Sequence, residues 1–278
     1  MVNVMPSFSY NDIELNYIIE GSGEPLVFVS GTFTKLQMWN YQIDFFREKM
    51  TIVAFDNRGV GKSSRPDFPY TMELFIEDLK QLLDYIGITE GIHLCGSSMG
   101  AMVSQKYALK YPKMIKTLIL CAPGSYYPLK TSEQNLLTYN ILKDLDLEQR
   151  VKFFFPLMYS REFKKRLETD REFFDEISKD MNFCAQLVDP PLYKDYINQN
   201  EAFKNFDMRD SIKDIIQPTL ILSGSKDKMS IPGEIQSMNE EIPNSELEII
   251  PGAGHAFNIE FPEETNRIIW KFVQEHLS

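Results

Sequence analysis

Continuous apolar runs of five or six residues recur along the first half of the chain and return in its last quarter. The first four lie at 26–30, 51–55, 92–96 and 117–122. Such short runs predict buried strands, and the segments between them, such as 37–48 and 102–111, have the spacing of helices. Uninterrupted apolar strands that alternate with helices are typical of a parallel sheet covered on both faces. The pattern therefore predicts an α/β fold.

Two local features add detail to the first part of the chain. Residues 7–20 alternate around the pair Asn11-Asp12, which predicts a hairpin. In the segment 71–87, Thr71 can cap a helix N-terminus and Gly87 can end the helix. The apolar residues between them recur at helical spacing and form one face: Phe75, Leu79, Leu82 and Ile86.

The pattern changes after Pro123. Residues 124–212 are helical in pattern, contain nine phenylalanines and six tyrosines, and lack apolar runs of the earlier kind. Alternation of strand and helix resumes at 218–227 and 246–255. We therefore predict a core domain of residues 1–123 and 213–278, with a helical cap inserted at 124–212. The aromatic residues of such a cap predict an apolar pocket, although packing against the core is the simpler expectation for any one of them.

An excess of acidic residues distinguishes the composition. The chain has 278 residues, with 40 Asp and Glu against 29 Lys and Arg and a net charge of −11. Such a surface repels phosphate backbones and anionic lipids, so we expect no nucleic-acid partner and no membrane partner. No apolar stretch approaches the roughly 20 residues of a membrane span, and no signal-peptide pattern is present. We expect a cytoplasmic protein.

The three cysteines, Cys95, Cys121 and Cys184, form no metal-binding or redox motif. Cys95 and Cys121 lie in apolar runs, and an odd number argues against a disulfide framework. Each is interpreted as a small buried apolar residue. No cluster of His and Cys has metal-ligand spacing, so we expect no metal and no cofactor.

One segment is similar to a phosphate-binding loop. In GVGKSS at 59–64, however, Asp56 stands where that motif requires its first glycine. The segment also leads into a loop with two prolines instead of a helix. We interpret residues 56–59 as a structural turn.

The sequence Gly96-Ser97-Ser98-Met99-Gly100 lies between a predicted strand and a predicted helix. A strand that runs directly into a helix makes a tight, strained turn, and small flanking residues permit the close approach of the backbones. Such a turn exposes the central hydroxyl at a helix N-terminus, where N–H groups favour developing negative charge. We predict Ser98 as a nucleophile, because it alone is centred between the two glycines.

A serine nucleophile needs a base within hydrogen-bond reach, and His255 is the best candidate. His93 falls within a predicted strand and His276 on the C-terminal helix, whereas His255 follows an apolar strand in a loop of small residues. That position places it at the same sheet edge as Ser98. Asp227 also follows a buried strand, and we predict that it orients the imidazole.

Acyl transfer also requires hydrogen-bond donors for the oxyanion of the tetrahedral intermediate. One candidate is the backbone N–H of Met99, directly after the nucleophile. The other lies in the loop after the strand at 26–30, where position favours the N–H of Thr32 and Gly31 lets the backbone bend. We predict these two N–H groups as the oxyanion hole.

Five segments together resemble the α/β-hydrolase superfamily of serine hydrolases: SGTFTKLQMW, FDNRGVGKSSRP, GSSMG, PTLILSGSKD and GAGH. The group includes carboxylesterases, lactonases, C–C bond hydrolases, cofactor-free haloperoxidases and proline iminopeptidases, and the resemblance covers nearly the whole chain outside 124–212. It implies an α/β-hydrolase fold, with a mostly parallel sheet, helices on both faces and a helical cap. The chain order Ser98, Asp227, His255 is the order that this fold uses.

Several residues depart from subfamily patterns. Ser30 stands where most relatives have a histidine before the glycine of the oxyanion loop, so the rigidity of the loop is expected to differ. Haloalkane dehalogenases and epoxide hydrolases have an aspartate at the position of Ser98. Proline iminopeptidases tend to have tryptophan at Met99, and C–C hydrolases often have a second glycine at Ala101. These subfamilies are therefore less favoured.

The residues and the resemblance together predict a carboxylesterase-like enzyme. We expect it to cleave small to medium, largely apolar carboxylic esters through an acyl-enzyme, with a small-molecule ester as its partner. Hydrolysis of a lactone, a C–C bond or a thioester by the same triad stays open, as does a slow ligand-binding or signalling role. The sequence does not indicate which residues bind the substrate.

Overall fold

The computed structural model describes residues 6–142, 144–179, 192–230 and 232–278. Eight strands form one sheet in the order β1-β2-β4-β3-β5-β6-β7-β8. The strands are β1 Ser7–Tyr10, β2 Ile13–Gly21, β3 Pro25–Val29, β4 Thr51–Phe55, β5 Ile92–Ser97, β6 Ile115–Cys121, β7 Thr219–Gly224 and β8 Ser245–Ile250. All neighbours from β4 to β8 pair in parallel, whereas β1–β2 and β2–β4 are antiparallel. The predicted α/β class and mostly parallel sheet are confirmed.

The predicted hairpin is the turn between β1 and β2. Asn11 and Asp12 have φ values of 43° and 63°. Both lie in the left-handed region, which Asn and Asp tolerate better than most residues and which tight hairpin turns require. The hairpin adds the antiparallel edge to the sheet.

Helices cover both faces of the sheet. They are α1 Asn40–Phe46, α2 Met72–Tyr85, α3 Met99–Lys110, α9 Pro232–Glu241, α10 Phe257–Glu260 and α11 Pro262–Gln274. The predicted helix at 37–48 is shorter than expected, because a 3₁₀ turn at Leu36–Trp39 precedes α1. The side chain of Thr71 accepts a hydrogen bond from the Leu74 N–H, as its capping role predicts. Helix α9 was not predicted.

In the part of the insertion that the structure describes, five helices lie between β6 and β7, and they are called the inserted helices below. They are α4 Leu129–Leu142, α5 Leu147–Met158, α6 Arg161–Thr169, α7 Arg171–Lys179 and α8 Tyr193–Phe203. Within the described part of 124–212 no residue joins the sheet, and an isolated bridge between Tyr126 and Asp207 closes the base of the insertion. Across the described ranges, no helix has the length and apolarity needed to cross a membrane.

Two apolar layers, one on each face of the sheet, form the core. Cys95 and Cys121 lie buried in one of them as free thiols, with their sulfur atoms 4.0 Å apart. Burial raises the pKa of the Cys95 thiol, which keeps it protonated and unreactive. The interpretation of these two cysteines as buried apolar residues is confirmed, and Cys184 lies outside the described residues.

Asp56 organises the loop that resembles a phosphate-binding motif. Its buried carboxylate accepts hydrogen bonds from the Leu36 N–H at 2.8 Å, the Lys62 N–H at 3.1 Å and the Asn16 amide at 2.8 Å. A Cβ on Gly61 would lie 2.2 Å from this carboxylate. The carboxylate therefore occupies the centre of the loop, and the interpretation as a structural turn is confirmed.

Candidate active site

Ser98 sits on the turn between β5 and α3. Its φ is 52° and its ψ is −115°, a strained conformation that the surrounding backbone must enforce. A Cβ on Gly96 would lie 2.2 Å from the Gly100 carbonyl oxygen, and one on Gly100 would lie 2.1 Å from the Val29 carbonyl oxygen. Glycine is thus the residue that fits at both positions. The turn brings the partly exposed Ser98 hydroxyl to the N-terminus of α3.

His255 and Asp227 come together from the loops after β8 and β7. The Nδ1 atom of His255 lies 2.8 Å from Oδ2 of Asp227, and both side chains are almost fully buried. A carboxylate can only accept, so Nδ1 carries a proton, and in the neutral imidazole Nε2 is left as an acceptor. This tautomer is the one that a general base needs.

Hydrogen bonds on both sides of His255 hold its loop. The Gly254 N–H donates to the Glu260 carboxylate at 2.9 Å, and the Ala256 N–H donates to the Met158 carbonyl at 2.9 Å. Glu260 also accepts from the N–H and the hydroxyl of Ser160. The histidine loop is therefore tied to the end of α5 and the start of α6.

Asp227 is held as a carboxylate by its neighbours. Burial by itself raises its pKa, but the charge and hydrogen bond of His255 oppose this effect, as do donors from Met229 and Ser230. The Met229 N–H donates at 2.7 Å, and the hydroxyl of Ser230 donates to Oδ2 at 2.8 Å. The balance lowers the pKa of Asp227 to about 2. Asp227 therefore stays negatively charged at any pH at which the protein would work.

A cavity of about 210 Å³ lies above the sheet edge, and both Ser98 and His255 line it. Among the described residues no hydrogen bond joins these two side chains. Catalytic hydrogen bonds are often long without substrate and shorten in the complex. The cavity therefore brings the predicted nucleophile and the predicted base to the same space.

The cavity wall is apolar and carries no Asp, Glu, Lys or Arg among its described residues. Five methionines contribute to it: Met38, Met99, Met102, Met158 and Met229. Four aromatic residues also contribute, Phe33, Tyr127, Phe153 and Phe203. Most described aromatic residues of the insertion pack among themselves or against the core, which is what packing alone predicts for them. Unbranched methionine side chains adapt to differently shaped apolar groups.

The predicted oxyanion loop also borders this cavity, and Thr32 and Met99 both line it. The Gly31 carbonyl accepts hydrogen bonds from the N–H and the hydroxyl of Thr34, at 3.3 and 2.9 Å. Ser30, in the place of the usual histidine, is fully buried, and its carbonyl accepts from Asn57 at 3.0 Å. Hydrogen bonds from Thr34 and Asn57 to two backbone carbonyls therefore hold this loop without a histidine side chain.

The other two histidines lie elsewhere. His93 is buried in β5, with its ring nitrogens 2.8 Å from the Thr117 hydroxyl and 3.1 Å from Glu24. His276 bonds the Phe272 carbonyl near the C-terminus. Neither lines the cavity. The described residues also contain no group of three or more His, Cys, Asp or Glu side chains arranged to hold a metal.

Sequence reasoning missed the residues that hold Asp227 and the loop of His255 in place by hydrogen bonds. Ser230 and Glu260 lie a few residues from Asp227 and His255, but nothing in their spacing indicates a contact. The cavity residues of the insertion, such as Phe153 and Leu157, carry no motif. A helical pattern shows that one face of α5 is apolar, but it does not show which residues face the cavity.

Comparison with known proteins agrees with the geometry. The model of the alpha/beta hydrolase fold family matches residues 24–262. The 3-oxoadipate enol-lactonase 2 of Acinetobacter baylyi is 27% identical over 276 residues, covering 95% of this chain and 97% of that protein. A proline iminopeptidase of Clostridium botulinum is 28% identical over 279 residues, covering 92% of each.

A solved structure gives the same result for the fold. A thermophilic esterase from Thermogutta terrifontis has a TM-score of 0.84 at 24% sequence identity, over 99% of this chain and 98% of that one. The match to the family model spans the strands and loops that carry Ser98, Asp227 and His255. The chain therefore belongs to the α/β-hydrolase fold family.

Proposed function

We propose that the protein is a serine hydrolase that cleaves small to medium, largely apolar carboxylic esters. One observation carries the proposal: Ser98, on a strained turn, lines the same cavity as His255, whose other ring nitrogen bonds Asp227 at 2.8 Å. Nucleophile, base and orienting acid in this arrangement are the parts that acyl transfer by a serine requires.

In the proposed mechanism the hydroxyl of Ser98 attacks the ester carbonyl while Nε2 of His255 takes its proton. The imidazolium that forms is stabilised by the charge of Asp227. Collapse of the tetrahedral intermediate breaks the bond to the alcohol oxygen, and His255 gives its proton to the leaving alcohol. Water then attacks the acyl-enzyme with His255 as base, which releases the acid and restores the serine.

We propose the backbone N–H groups of Met99 and Thr32 as donors to the oxyanion. Met99 begins α3, where the helix dipole also favours negative charge. Both residues line the cavity with Ser98. The inserted helices, in this proposal, form a cap of residues 124–212 that closes the cavity over the ester.

The chemistry of the wall supports an uncharged, apolar substrate. Because the described wall carries no Asp, Glu, Lys or Arg, a charged acyl group would lose its hydration without gaining an ionic partner. Phe153, Leu157 and Met229 line the cavity and are also exposed to solvent. These residues give the apolar substrate an apolar entrance.

The test is hydrolysis of p-nitrophenyl esters of increasing acyl length by the wild type and by Ser98→Ala. We expect turnover by the wild type and a loss of about 10⁴-fold or more in kcat for Ser98→Ala. Ser97→Ala removes the neighbouring hydroxyl and should retain activity within about tenfold. Equal activity of Ser98→Ala and the wild type would contradict the proposal.

A lactone is a second candidate substrate, since it is a cyclic ester that the same groups can open. The 27% identity to an enol-lactonase over 95% of the chain favours including it. A panel of uncharged lactones assayed beside the linear esters distinguishes the two. Higher kcat/KM for the lactones would assign the cavity to a ring-shaped substrate.

A further inference from the structure

Two peptide groups meet at Thr32, and side chains hold each of them. The first joins Gly31 to Thr32, and its carbonyl accepts the two hydrogen bonds from Thr34. The second joins Thr32 to Phe33, and its N–H donates to Oε1 of Gln199 at 3.2 Å. Gln199 lies on α8, so the second contact comes from the inserted helices.

The planarity of the peptide bond connects these contacts to the oxyanion hole. In a trans peptide the carbonyl and the N–H point in opposite directions. Holding the Gly31 carbonyl therefore restrains the direction of the Thr32 N–H from one side. The backbone of Thr32 can still rotate unless the next peptide is also held, and the bond from Phe33 to Gln199 does this.

The loop needs such support because Phe33 has a φ of 60°. This left-handed conformation is costly for a bulky residue. Helix α8 contacts Phe33 twice, since the ring of Tyr196 lies 4.3 Å from the Phe33 ring in an edge-on arrangement. Tyr196 and Gln199 are three residues apart and so lie on one face of the helix.

Gln199 also bonds the core at a second point. Its side chain is fully buried, and Nε2 donates to the Arg58 carbonyl at 3.3 Å. The backbone of Arg58 is itself well anchored, because its guanidinium forms a buried bidentate pair with Asp78 at 2.6 and 2.7 Å. Gln199 therefore bridges the oxyanion loop to a rigid part of the core.

We propose that Gln199 is a positioning residue for the oxyanion hole. Through Gln199, the orientation of the Thr32 N–H depends on how α8 packs against the core. The inference rests on the proposed function, because it assigns a role in stabilising the oxyanion. Gln199 does not touch the substrate in this account. It restrains, from the neighbouring peptide, a donor that does.

The neighbouring residue provides a matched control. Asn200 is also a fully buried amide on α8, but it donates to the carbonyl and hydroxyl of Ser132, at 3.2 and 2.8 Å. Ser132 belongs to α4, so these bonds stay within the insertion. Gln199→Met and Asn200→Leu each remove one buried amide from the same helix, and only the first releases the oxyanion loop.

The experiment measures kcat and KM for a p-nitrophenyl ester, together with the affinity for a trifluoromethyl ketone, which binds serine hydrolases as a charged oxyanion. For Gln199→Met we expect a fall in kcat of about 10- to 100-fold. The affinity for the ketone should fall in parallel, with KM nearly unchanged. For Asn200→Leu kcat should stay within about threefold. Thermal unfolding of both variants reports their general loss of stability.

Tyr196→Leu provides a second variant, which removes the ring contact with Phe33 and keeps Gln199 in place. It should lower kcat and ketone affinity together by about 2- to 10-fold, the value of one aromatic contact. Unchanged ketone affinity in Gln199→Met and Tyr196→Leu would overturn the inference, as would equal losses in Gln199→Met and Asn200→Leu. A wild type that hydrolyses no ester or lactone would overturn the proposed function itself, and with it the inference.

Discussion

At the sheet edge, Ser98 and His255 sit on turns whose shape is set by close backbone contacts, whereas the inserted helices are held by side chains, both polar and apolar. Around Ser98, a single added carbon at Gly96 or Gly100 would overlap a carbonyl group. Helix α8, in contrast, is attached through polar side chains such as Gln199 and Asp195 and through the apolar side chain of Phe203, which packs in a core layer. The backbone at Ser98 is therefore sterically constrained, whereas the attachment of α8 depends on side-chain contacts.

The two regions also differ in their apolar residues. The sheet edge rests on two packed layers of core residues, whereas the cavity between edge and insertion is lined by methionines. A wall of this kind accommodates several substrate shapes. We therefore expect substitutions at the sheet edge to alter the chemical step and the stability of the whole domain. Substitutions in the insertion should alter substrate binding and the local stability of the inserted helices.

The largest effect is expected for His255→Ala. Removing the base should lower kcat by about 10⁴-fold, since the serine then has no group to take its proton. Met229→Ala, on the other side of the cavity, should change mainly KM, by a few-fold. Steady-state kinetics on one ester measures both variants. Similar losses of kcat in the two would contradict the distinction between the regions.

Gly100→Ala should be the most destabilising of the small substitutions. Its Cβ would lie 2.1 Å from the Val29 carbonyl oxygen, so β3 or α3 must shift, and we expect a loss of about 3 kcal/mol or more in the free energy of unfolding. Gly233→Ala is the control, because a Cβ there meets no atom within 4 Å. Denaturant unfolding compares the two variants, and equal stabilities would show that the turn at Ser98 is not sterically fixed.

Removal of an anchor from α8 should have a smaller and local effect. The carboxylate of Asp195 pairs with Arg65 at 3.2 Å and accepts from the Leu192 N–H at 2.9 Å. In Asp195→Ala we expect faster amide hydrogen exchange in α8, which corresponds to a loss of about 2 kcal/mol in the free energy of its local unfolding. Exchange in α3 should not change. Acceleration spread equally over both helices would mean that the insertion and the core unfold as one unit.

The smallest effect concerns pH. The pKa of Asp227 is lowered to about 2, below its ordinary value, so its charged form stabilises the folded state. That contribution is present above about pH 4 and is lost as the pH falls towards 2, and it amounts to about 2 kcal/mol. The stability difference between the wild type and Asp227→Asn should therefore shrink by this amount between pH 5 and pH 2. A difference that is constant over this range would contradict the lowered pKa.

The sequence allowed prediction of those parts that depend on local backbone constraints. Apolar runs predicted the parallel strands, and Asn11-Asp12 predicted the hairpin turn. Strand–turn–helix spacing placed Ser98, and position after a strand placed Asp227 and His255 at one edge, where the structure brings the last two into contact. These inferences succeed because parallel strands deliver their following loops to the same edge.

The contacts of the insertion could not be predicted in this way. Gln199 bonds Phe33, which lies 166 positions away in sequence, and no periodicity reports such a pair. The helical pattern of 124–212 shows which positions are apolar but not whether they face the cavity or the core. The aromatic content therefore overstated the share of aromatic residues in the cavity wall, where methionines are as prominent.

The identity of the nucleophile is the central claim, and mapping the site of covalent labelling tests it most directly. The protein would be treated with a fluorophosphonate, which reacts with activated serines, and its peptides would be sequenced by mass spectrometry. The assignment of Ser98 as the nucleophile predicts one phosphonyl group per chain on Ser98, and no labelling in His255→Ala under the same conditions. A label on Ser97 or another residue, or full labelling of His255→Ala, would contradict it.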